Sequence, residues 1–470
     1  MSFGDERRRP PRPAAHELER YSALFATRTG RMRSSVMRDL MAVTDRLDII
    51  SLAGGLPDTS LFEPRLFTAA MERIADGATA AALQYGPTDG LQPVKECIVQ
   101  IMAEEDTRVA ADELIVTTGG QQAIDLVCKT LLDPGDVVIA EGPTYPGAVP
   151  TFCAYEAQVV QIEMDADGMQ IDLLERTLDQ LAAEGRRPKF IYTIPTFQNP
   201  AGVSMSLARR RRLVEVARER ELLVLEDNPY GLLRYEGDAL PTLRSLEVPR
   251  GSRDGGEFVI YVGTMSKILS AGIRIGWVVA PRPVLAKLNL GKVSSDLCSS
   301  SLTQHFVAAY FANGDWREYV NAARETYHVR RDAMLDALAE FMPAQARWTH
   351  PHGGLFVWLT LPDYIDTTDL LARALREHVA FVPGEGAYDD GRGHNAMRLN
   401  FSSVPEEQIR EGIRRIAKIV DEQLALYGSL TGRHGAAPAD DAANELTEEL
   451  APVLELPRRS GEGARRSRPA

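Results

Sequence analysis

Lys267 and Arg274 stand seven positions apart in "VGTMSKILSAGIRIGW" (Val262–Trp277), a stretch without an acidic residue. Two cations with no local carboxylate, just beyond the apolar run "EFVIYV", call for a counter-charge that the neighbouring chain does not supply. Other polar residues also follow apolar runs. Tyr145 comes after "DVVIAEG", Asn199 after "KFIYTIP", and Asp227 and Tyr230 at and after "LLVLE". "ELIVTT" runs into Gly119, Gly120 and Gln121, and "FVIYVG" into Thr264 and Ser266. A Gly-Gly turn that opens a helix presents free N–H groups to an anion. Singly, each has a plainer reading: Asn-Pro starts turns, Asp227 could cap a helix, and Tyr145 could be a core aromatic.

The elements that must position these residues are legible in the same runs. They are apolar nearly throughout rather than alternating, as expected of strands buried on both faces. Helical patterns such as "QQAIDLVCKTLL" and "SLARRRRLVEVARERE" lie between them. Strands alternating with helices mean βαβ units, an α/β fold and a mostly parallel sheet. In such sheets ligands bind outside the carboxyl ends of the strands, so the residues above converge on one face. From about Arg324, long helical patterns and the strand-like "GGLFVWLTL" predict a smaller α+β domain. The expected division is a disordered 1–15, an N-terminal arm and helix at 16–50, a large domain at 51–323, a small domain at 324–430 and a disordered tail at 431–470.

Composition narrows the class. The chain has 470 residues, 44% hydrophobic and 25% charged, with a formal net charge of -13. That charge argues against nucleic acid as a partner. Cys97, Cys128, Cys153 and Cys298 are scattered without a C-x-x-C pair, which suits a reducing cytoplasm. The start "MSFGDERRRPPRP" has no apolar signal core, and no apolar run reaches membrane-spanning length. The expectation is a cytoplasmic protein with no membrane contact and no bound metal.

With no G-x-G-x-x-G and no Walker A lysine, dinucleotide and nucleoside triphosphate readings lose ground. One lysine, a strand-end aspartate, an aromatic face, an Asn and Tyr pair and a hydroxyl-lined anion cup with Arg are what pyridoxal 5'-phosphate requires. Lys267 forms the Schiff base, Asp227 pairs the protonated ring nitrogen, an aromatic residue stacks, an Asn and a Tyr donate to the phenolic oxygen, and Arg274 meets the phosphate.

These residues resemble the fold-type I, class I/II aminotransferases, and within them the 2-aminoadipate/kynurenine aminotransferase branch. "ISLAGGLPD", "LQYGPTDG", "TTGGQQAIDL", "GPTYPG", "QNPAG", "EDNPYG", "TMSKILSAGIRIGW" and "MRLNFS" follow in the family's order from about Tyr21 to Tyr427. The resemblance implies a mostly parallel seven-stranded sheet sandwiched by helices, and a homodimer with shared active sites. It makes Lys267 the residue that also shuttles the proton of catalysis, alongside Asp227 and Tyr145. Gly120, Gln121, Thr264, Ser266 and Arg274 match the phosphate cup, which Tyr85 would reach from a second subunit. Arg398 resembles the arginine that grips the substrate α-carboxylate, with Asn199 and Gly55 beside it. Two positions depart from the pattern: Gly120 where relatives often carry serine, and Thr264 in place of the commoner serine.

"GRMRSSVMRDLM" (Gly30–Met41) resembles the branch's mobile N-terminal helix, where Arg38 matches an arginine for a substrate's distal carboxylate and Arg31 or Arg33 could substitute. The same arginines also read as a solvated basic helix face. The function implied is transfer of an amino group between an L-amino acid, of 2-aminoadipate, aromatic or branched-chain type, and a 2-oxo acid such as 2-oxoglutarate. The alternative on the same fold is a lyase, decarboxylase or amino-acid oxidase. A transcriptional regulator with this fold would need a DNA-binding domain, and only about 50 residues precede "SLAGGLP".

Overall fold

Alternation within the apolar runs, sending successive residues to opposite faces, sets the architecture. The computed structural model describes residues 21–32, 48–248 and 256–431. After a two-residue β1 (Ile50–Ser51) come β2 (Leu114–Thr117), β3 (Val137–Gly142), β4 (Gln158–Asp165), β5 (Gly168–Met169) and β6 (Pro188–Thr193). β7 (Leu223–Asp227), β8 (Val259–Thr264) and β9 (Gly276–Val279) follow. From β2 onward they form one sheet in the order β2-β9-β8-β7-β6-β3-β4-β5. The run β8-β7-β6-β3-β4 is parallel throughout. β9 is antiparallel to both its neighbours, β2 and β8. The seven strands expected are joined by an eighth, β5, which adds two antiparallel residues at the β4 edge.

Each central strand feeds two cores. Val138 and Ala140, Phe190 and Tyr192, Leu225, and Ile260 and Val262 pack with Ala123, Ile124 and Val127 of the helix Gly120–Leu131. Their alternates Val137, Ile139, Ile191, Val224 and Val259 pack with Leu174 and Leu178 of Ile171–Ala183 and Leu213 and Val216 of Leu207–Glu219. Covering both faces is why the runs are apolar without a break, each buried side chain contributing about 1.5–3 kcal/mol.

Because β9 runs backwards, it starts at the edge where β8 ends. Arg274, two residues before β9, therefore reaches the carboxyl edge of the parallel strands. A second sheet is built from β10 (Arg347–Trp348), β11 (Phe356–Thr360), β13 (Val382–Pro383) and β14 (Ala396–Asn400), after β12 (Val379–Ala380) is set aside to pair with β1. Its order is β10-β11-β14-β13, all antiparallel. On β14, Arg398 lies opposite Trp358 and Val382.

The boundary expected near residue 324 falls inside a continuous helix, Trp316–Phe341. The described residues up to Leu424 belong to one compact unit, and Ala425–Thr431, the end of the helix Glu406–Thr431, to a second. The ends expected to be disordered lie outside the described residues, Thr431 excepted. No helix among the described residues is long and apolar enough to cross a membrane.

Candidate active site

At the carboxyl edge of the large sheet lies a cavity of about 270 Å³. Lys267 enters it three residues beyond β8, and its Nζ donates to the Gly55 carbonyl. Burial, then the Arg398 and Arg274 guanidiniums, push that amine down to about 8. Asp227 closes β7 and is the one carboxylate among the described residues lining the cavity. Burial pushes it up to about 6, opposed by the Tyr192 hydroxyl, which donates to Oδ2 at 2.8 Å. At neutral pH it is mostly ionised and offers an anion to a buried cation.

The loops beyond β3, β6 and β7 bring in Tyr145, Asn199 and Tyr230. Asn199 Nδ2 donates to Tyr230 Oη at 3.2 Å, while its Oδ1 accepts from Arg398 Nη1 at 3.1 Å. Burial raises the phenols of Tyr145 and Tyr230, so both remain neutral donors. The Tyr145 ring lies so close over Gly147 that a Cβ there would come within 2.5 Å of it.

The anion cup is made from β2, β8 and the start of β9. Gly119, at φ 79°, turns the chain so that the helix Gly120–Leu131 begins with its free N–H groups at the cavity. A Cβ on Gly119 would stand 2.2 Å from Arg274 Nη2. Arg274 Nη1 donates to Ser266 Oγ at 3.3 Å and Nη2 to the Thr118 carbonyl at 3.2 Å. Thr264 Oγ1 and Ser266 Oγ are 2.9 Å apart. The Gln121 side chain turns away to Thr151 Oγ1, at 2.7 Å, which leaves its backbone N–H for the cup.

At the other end Arg398 reaches in from β14, 1% exposed, with Nη2 donating to the Ala53 and Gly54 carbonyls at 2.7 and 2.9 Å. Its guanidinium lies 4.3 Å from the Phe356 ring centre, and burial lowers it to about 10. A Cβ on Gly55 would sit 3.1 Å from Phe356, so a bare backbone keeps this end open. The donor set fits a compound with an aldehyde, a basic ring nitrogen, a phenolic oxygen and a phosphate, and a second, carboxylate-bearing ligand at Arg398. Pyridoxal 5'-phosphate has those four groups.

Of the residues anticipated, twelve line this cavity: Gly55, Gly120, Gln121, Tyr145, Asn199, Asp227, Tyr230, Thr264, Ser266, Lys267, Arg274 and Arg398. Tyr85 does not; it is 77% exposed. Arg38 and Arg33 lie outside the described residues, and Arg31 is exposed. Three further residues belong here. Tyr192 holds Asp227, and Leu56 and Phe356 form apolar wall. Tyr192 was readable in principle, because a tyrosine inside a run buried on both faces needs a partner for its hydroxyl. Nothing in the sequence marks Phe356.

Comparison with known proteins agrees with this geometry. The family described as aminotransferase class I and II matches residues 48–416. An aromatic-amino-acid aminotransferase 1 of Thermococcus litoralis is 42% identical over 86% of this chain and 95% of its own. The crystal structure of Pyrococcus horikoshii kynurenine aminotransferase superposes with a TM-score of 0.81 at 41% identity, over 87% of this chain and 99% of that one. The α-aminoadipate aminotransferase of Thermus thermophilus, solved with N-(5'-phosphopyridoxyl)-L-leucine, gives 0.79 at 36% identity over 86% and 99%. This chain belongs to the class I and II aminotransferases, and it is a fold-type I, pyridoxal 5'-phosphate-dependent transaminase.

Proposed function

We propose that the enzyme moves the amino group of an L-amino acid of 2-aminoadipate, aromatic or branched-chain type to a 2-oxo acid such as 2-oxoglutarate, with Lys267 as its covalent and proton-carrying residue. The observation that carries this reading is the meeting of the Lys267 amine, the Asp227 carboxylate and the Arg398 guanidinium in one cavity. Pyridoxal 5'-phosphate, when bound, supplies a carbonyl carbon for the amino group and an electron-withdrawing ring.

The chain's own residues do the rest. Lys267 Nζ, held down to about 8, is neutral in a far larger share than an ordinary lysine, so it would hold the cofactor's aldehyde carbon and, once the substrate's amine has displaced it, would take the proton from the substrate's Cα. Asp227, fixed by Tyr192, keeps the ring nitrogen protonated. Tyr145 covers the ring, and Asn199 with Tyr230 holds the phenolic oxygen. Gly120, Gln121, Thr264, Ser266 and Arg274 hold the phosphate through N–H groups, hydroxyls and a guanidinium. Arg398 orients the substrate by its α-carboxylate, with Asn199 and Gly55 beside it. Leu56 and Phe356 favour an apolar side chain, and the kynurenine and aromatic-amino-acid relatives agree with that preference. Arg38 is assigned to a donor's distal carboxylate by sequence alone.

A second copy completes the site. Tyr85, with Leu83 at 75%, Phe67 at 51% and Met71 at 38% exposed, supports burial of this face in a homodimer. The free cysteines and the absence of a membrane-spanning helix among the described residues support a cytoplasmic setting. The separate sheets, β2 to β9 before residue 323 and β10, β11, β13 and β14 after it, support a division into a large domain, 51–323, and a small one, 324–430, with the helix Trp316–Phe341 running across the boundary.

The test is visible absorption of the loaded enzyme before and after single amino acids: 2-aminoadipate, glutamate, kynurenine, phenylalanine, leucine and alanine. Conversion of the cofactor to its amine form, reversed by 2-oxoglutarate, is expected and ranks the donors. Consumption of an amino acid with no conversion of the cofactor to its amine form would overturn the reading in favour of elimination, decarboxylation or oxidation.

A further inference from the structure

Glu141 is a carboxylate in the wrong place for an ordinary strand. It is the fifth residue of the six-residue β3, all of them buried, and it is 1% exposed. An unpaired carboxylate there would cost several kcal/mol, so its partners must offset the loss of water. All are donors from the next strand and the loop beyond it. Thr193 Oγ1 donates to Oε1 at 2.5 Å; the Ile194 N–H and Gln198 Nε2 donate to Oε2, each at 3.1 Å.

Gln198 carries the contact further. The same Nε2 donates to the Pro143 carbonyl at 2.8 Å, and Oε1 accepts from the Ala201 N–H at 2.8 Å. Pro143 lies two residues before Tyr145, and Gln198 and Ala201 bracket Asn199 and Pro200. One carboxylate thus sits beneath both loops, the one that carries Tyr145 and the one that carries Asn199. The backbone of Glu141 adds a third tie: its carbonyl accepts from Gln161 Nε2 at 2.9 Å, which also donates to the Ala387 carbonyl at 3.0 Å. That carbonyl accepts the Thr144 N–H at 2.9 Å.

We propose that Glu141 is a positioning residue: its carboxylate, through Gln198, ties the segment ending in Tyr145 to the one carrying Asn199, so that ring stacking and grip on the phenolic oxygen are set together. It touches neither cofactor nor substrate. The inference rests on the roles assigned above to Tyr145 and Asn199. Three donors converge on it, so the site demands acceptors. An amide can still serve, with its oxygen toward Ile194 and Gln198 and its NH2 toward the Thr193 hydroxyl, which can turn to accept. Glu141→Gln therefore keeps the tie, whereas Glu141→Ala and Gln198→Met cut it.

The test measures cofactor affinity of the cofactor-free protein by equilibrium dialysis, with thermal unfolding as the check on folding. Glu141→Gln should bind pyridoxal 5'-phosphate within about threefold of the unaltered protein, and Gln198→Met about tenfold more weakly, the size of one lost buried hydrogen bond. Glu141→Ala should match or exceed Gln198→Met where it folds. In an Asn199→Ala background the Gln198→Met effect should shrink to about threefold, because one of its two targets is already gone. A Gln198→Met protein with unaltered affinity, or a tenfold loss that persists in full without Asn199, would overturn the proposal. The unaltered protein separates the two claims: if it fails to bind the cofactor, the functional reading falls, whatever the variants do.

Discussion

Two cations face the cavity and two are closed into the interior, and their contrast tells what burial alone does not. Arg398 and Arg210 are 1% and 0% exposed, and burial lowers each to about 10. Both bind carbonyl oxygens. Arg210 Nε donates to the Met205 carbonyl at 2.8 Å, Nη1 to that of Pro241 at 3.0 Å, and Nη2 to Thr196 Oγ1 at 2.9 Å and to the Pro195 carbonyl. It braces the loop before the helix Leu207–Glu219 and lines no described cavity. Lys292, 0% exposed, likewise ends on both oxygens of Asp296 at 2.9 Å and on Ser299 Oγ at 3.0 Å. Lys267 has a carbonyl and two repelling guanidiniums instead. A perturbed cation marks function only where its donors face open space.

The strongest way to break that contrast is to remove the lysines one at a time. Lys267→Ala should cost at least about 10⁴-fold in turnover with the melting temperature little changed. Lys292→Met should lower unfolding free energy by about 2 kcal/mol, since it takes the cation from a half-buried carboxylate and leaves it the neutral donors Gln122 and Thr118. Denaturant titration beside a steady-state assay reads both, and a Lys267→Ala enzyme with full activity would end the assignment. The arginines come next. Arg398→Lys keeps the charge but loses the fork, so kcat/KM for the amino acid should fall about 100-fold. Arg210→Met leaves buried carbonyls without donors, costing about 3 kcal/mol, while kcat/KM of the folded fraction stays within about threefold. If Arg210→Met moved kcat/KM as far as Arg398→Lys, the distinction would collapse.

The sequence made one side of this contrast easier to read than the other. Asp227, Asn199 and Lys267 follow apolar runs, and the rule for strand ends gathers them without any knowledge of pairing. The strands themselves were legible because both faces are covered, which left their runs continuous. Arg398 meets the Ala53 carbonyl across 345 residues of chain, and no local pattern encodes that approach. Arg210 stands in "ARRRR", among arginines that take surface partners: Arg209 pairs with Asp165 and Arg212 with Glu175 and Glu219. Its burial follows from the helix phase against the sheet, which the charge run conceals. Glu141 had a readable signal, an acid inside a run buried on both faces, but its partners belong to β6 and the loop beyond it.

Titration sharpens the comparison of the two lysines with a smaller effect. Lys267 is lowered to about 8 from an ordinary 10.5, with burial the first cause and the guanidiniums second. A depressed folded value means that this group's stabilising contribution is present above about 10.5 and lost as pH falls through about 8. In the cofactor-free protein, stability should therefore gain from raising the pH across that window, and Lys267→Met should flatten the gain. The rate at which the amine captures pyridoxal 5'-phosphate should rise with an apparent pKa near 8. Stopped-flow absorbance from about pH 6.5 to about pH 10 measures it, and a midpoint above about 10, where an ordinary lysine titrates, would mean that neither burial nor the neighbouring guanidiniums lower the amine.

The smallest contrast lies between two adjacent glycines of the cup. Gly119 adopts φ 79° with ψ 169°, a region open essentially to glycine where an added Cβ costs about 1–3 kcal/mol, and that atom would also meet Arg274 Nη2 at 2.2 Å. Gly119→Ala must displace the guanidinium, so cofactor affinity should fall about tenfold or more. Gly120 carries no such demand. A Cβ there would lie 3.6 Å from Val262 Cγ1 and 3.8 Å from Thr264 Cβ, ordinary contact distances, at the first position of the helix. A serine here therefore fits, and the N–H groups of the helix start already face the cup. Gly120→Ser should change affinity by no more than about threefold, with any shift toward tighter binding from the added hydroxyl. A loss as large as that of Gly119→Ala would show that close approach of bare backbone, rather than N–H direction, is what position 120 contributes.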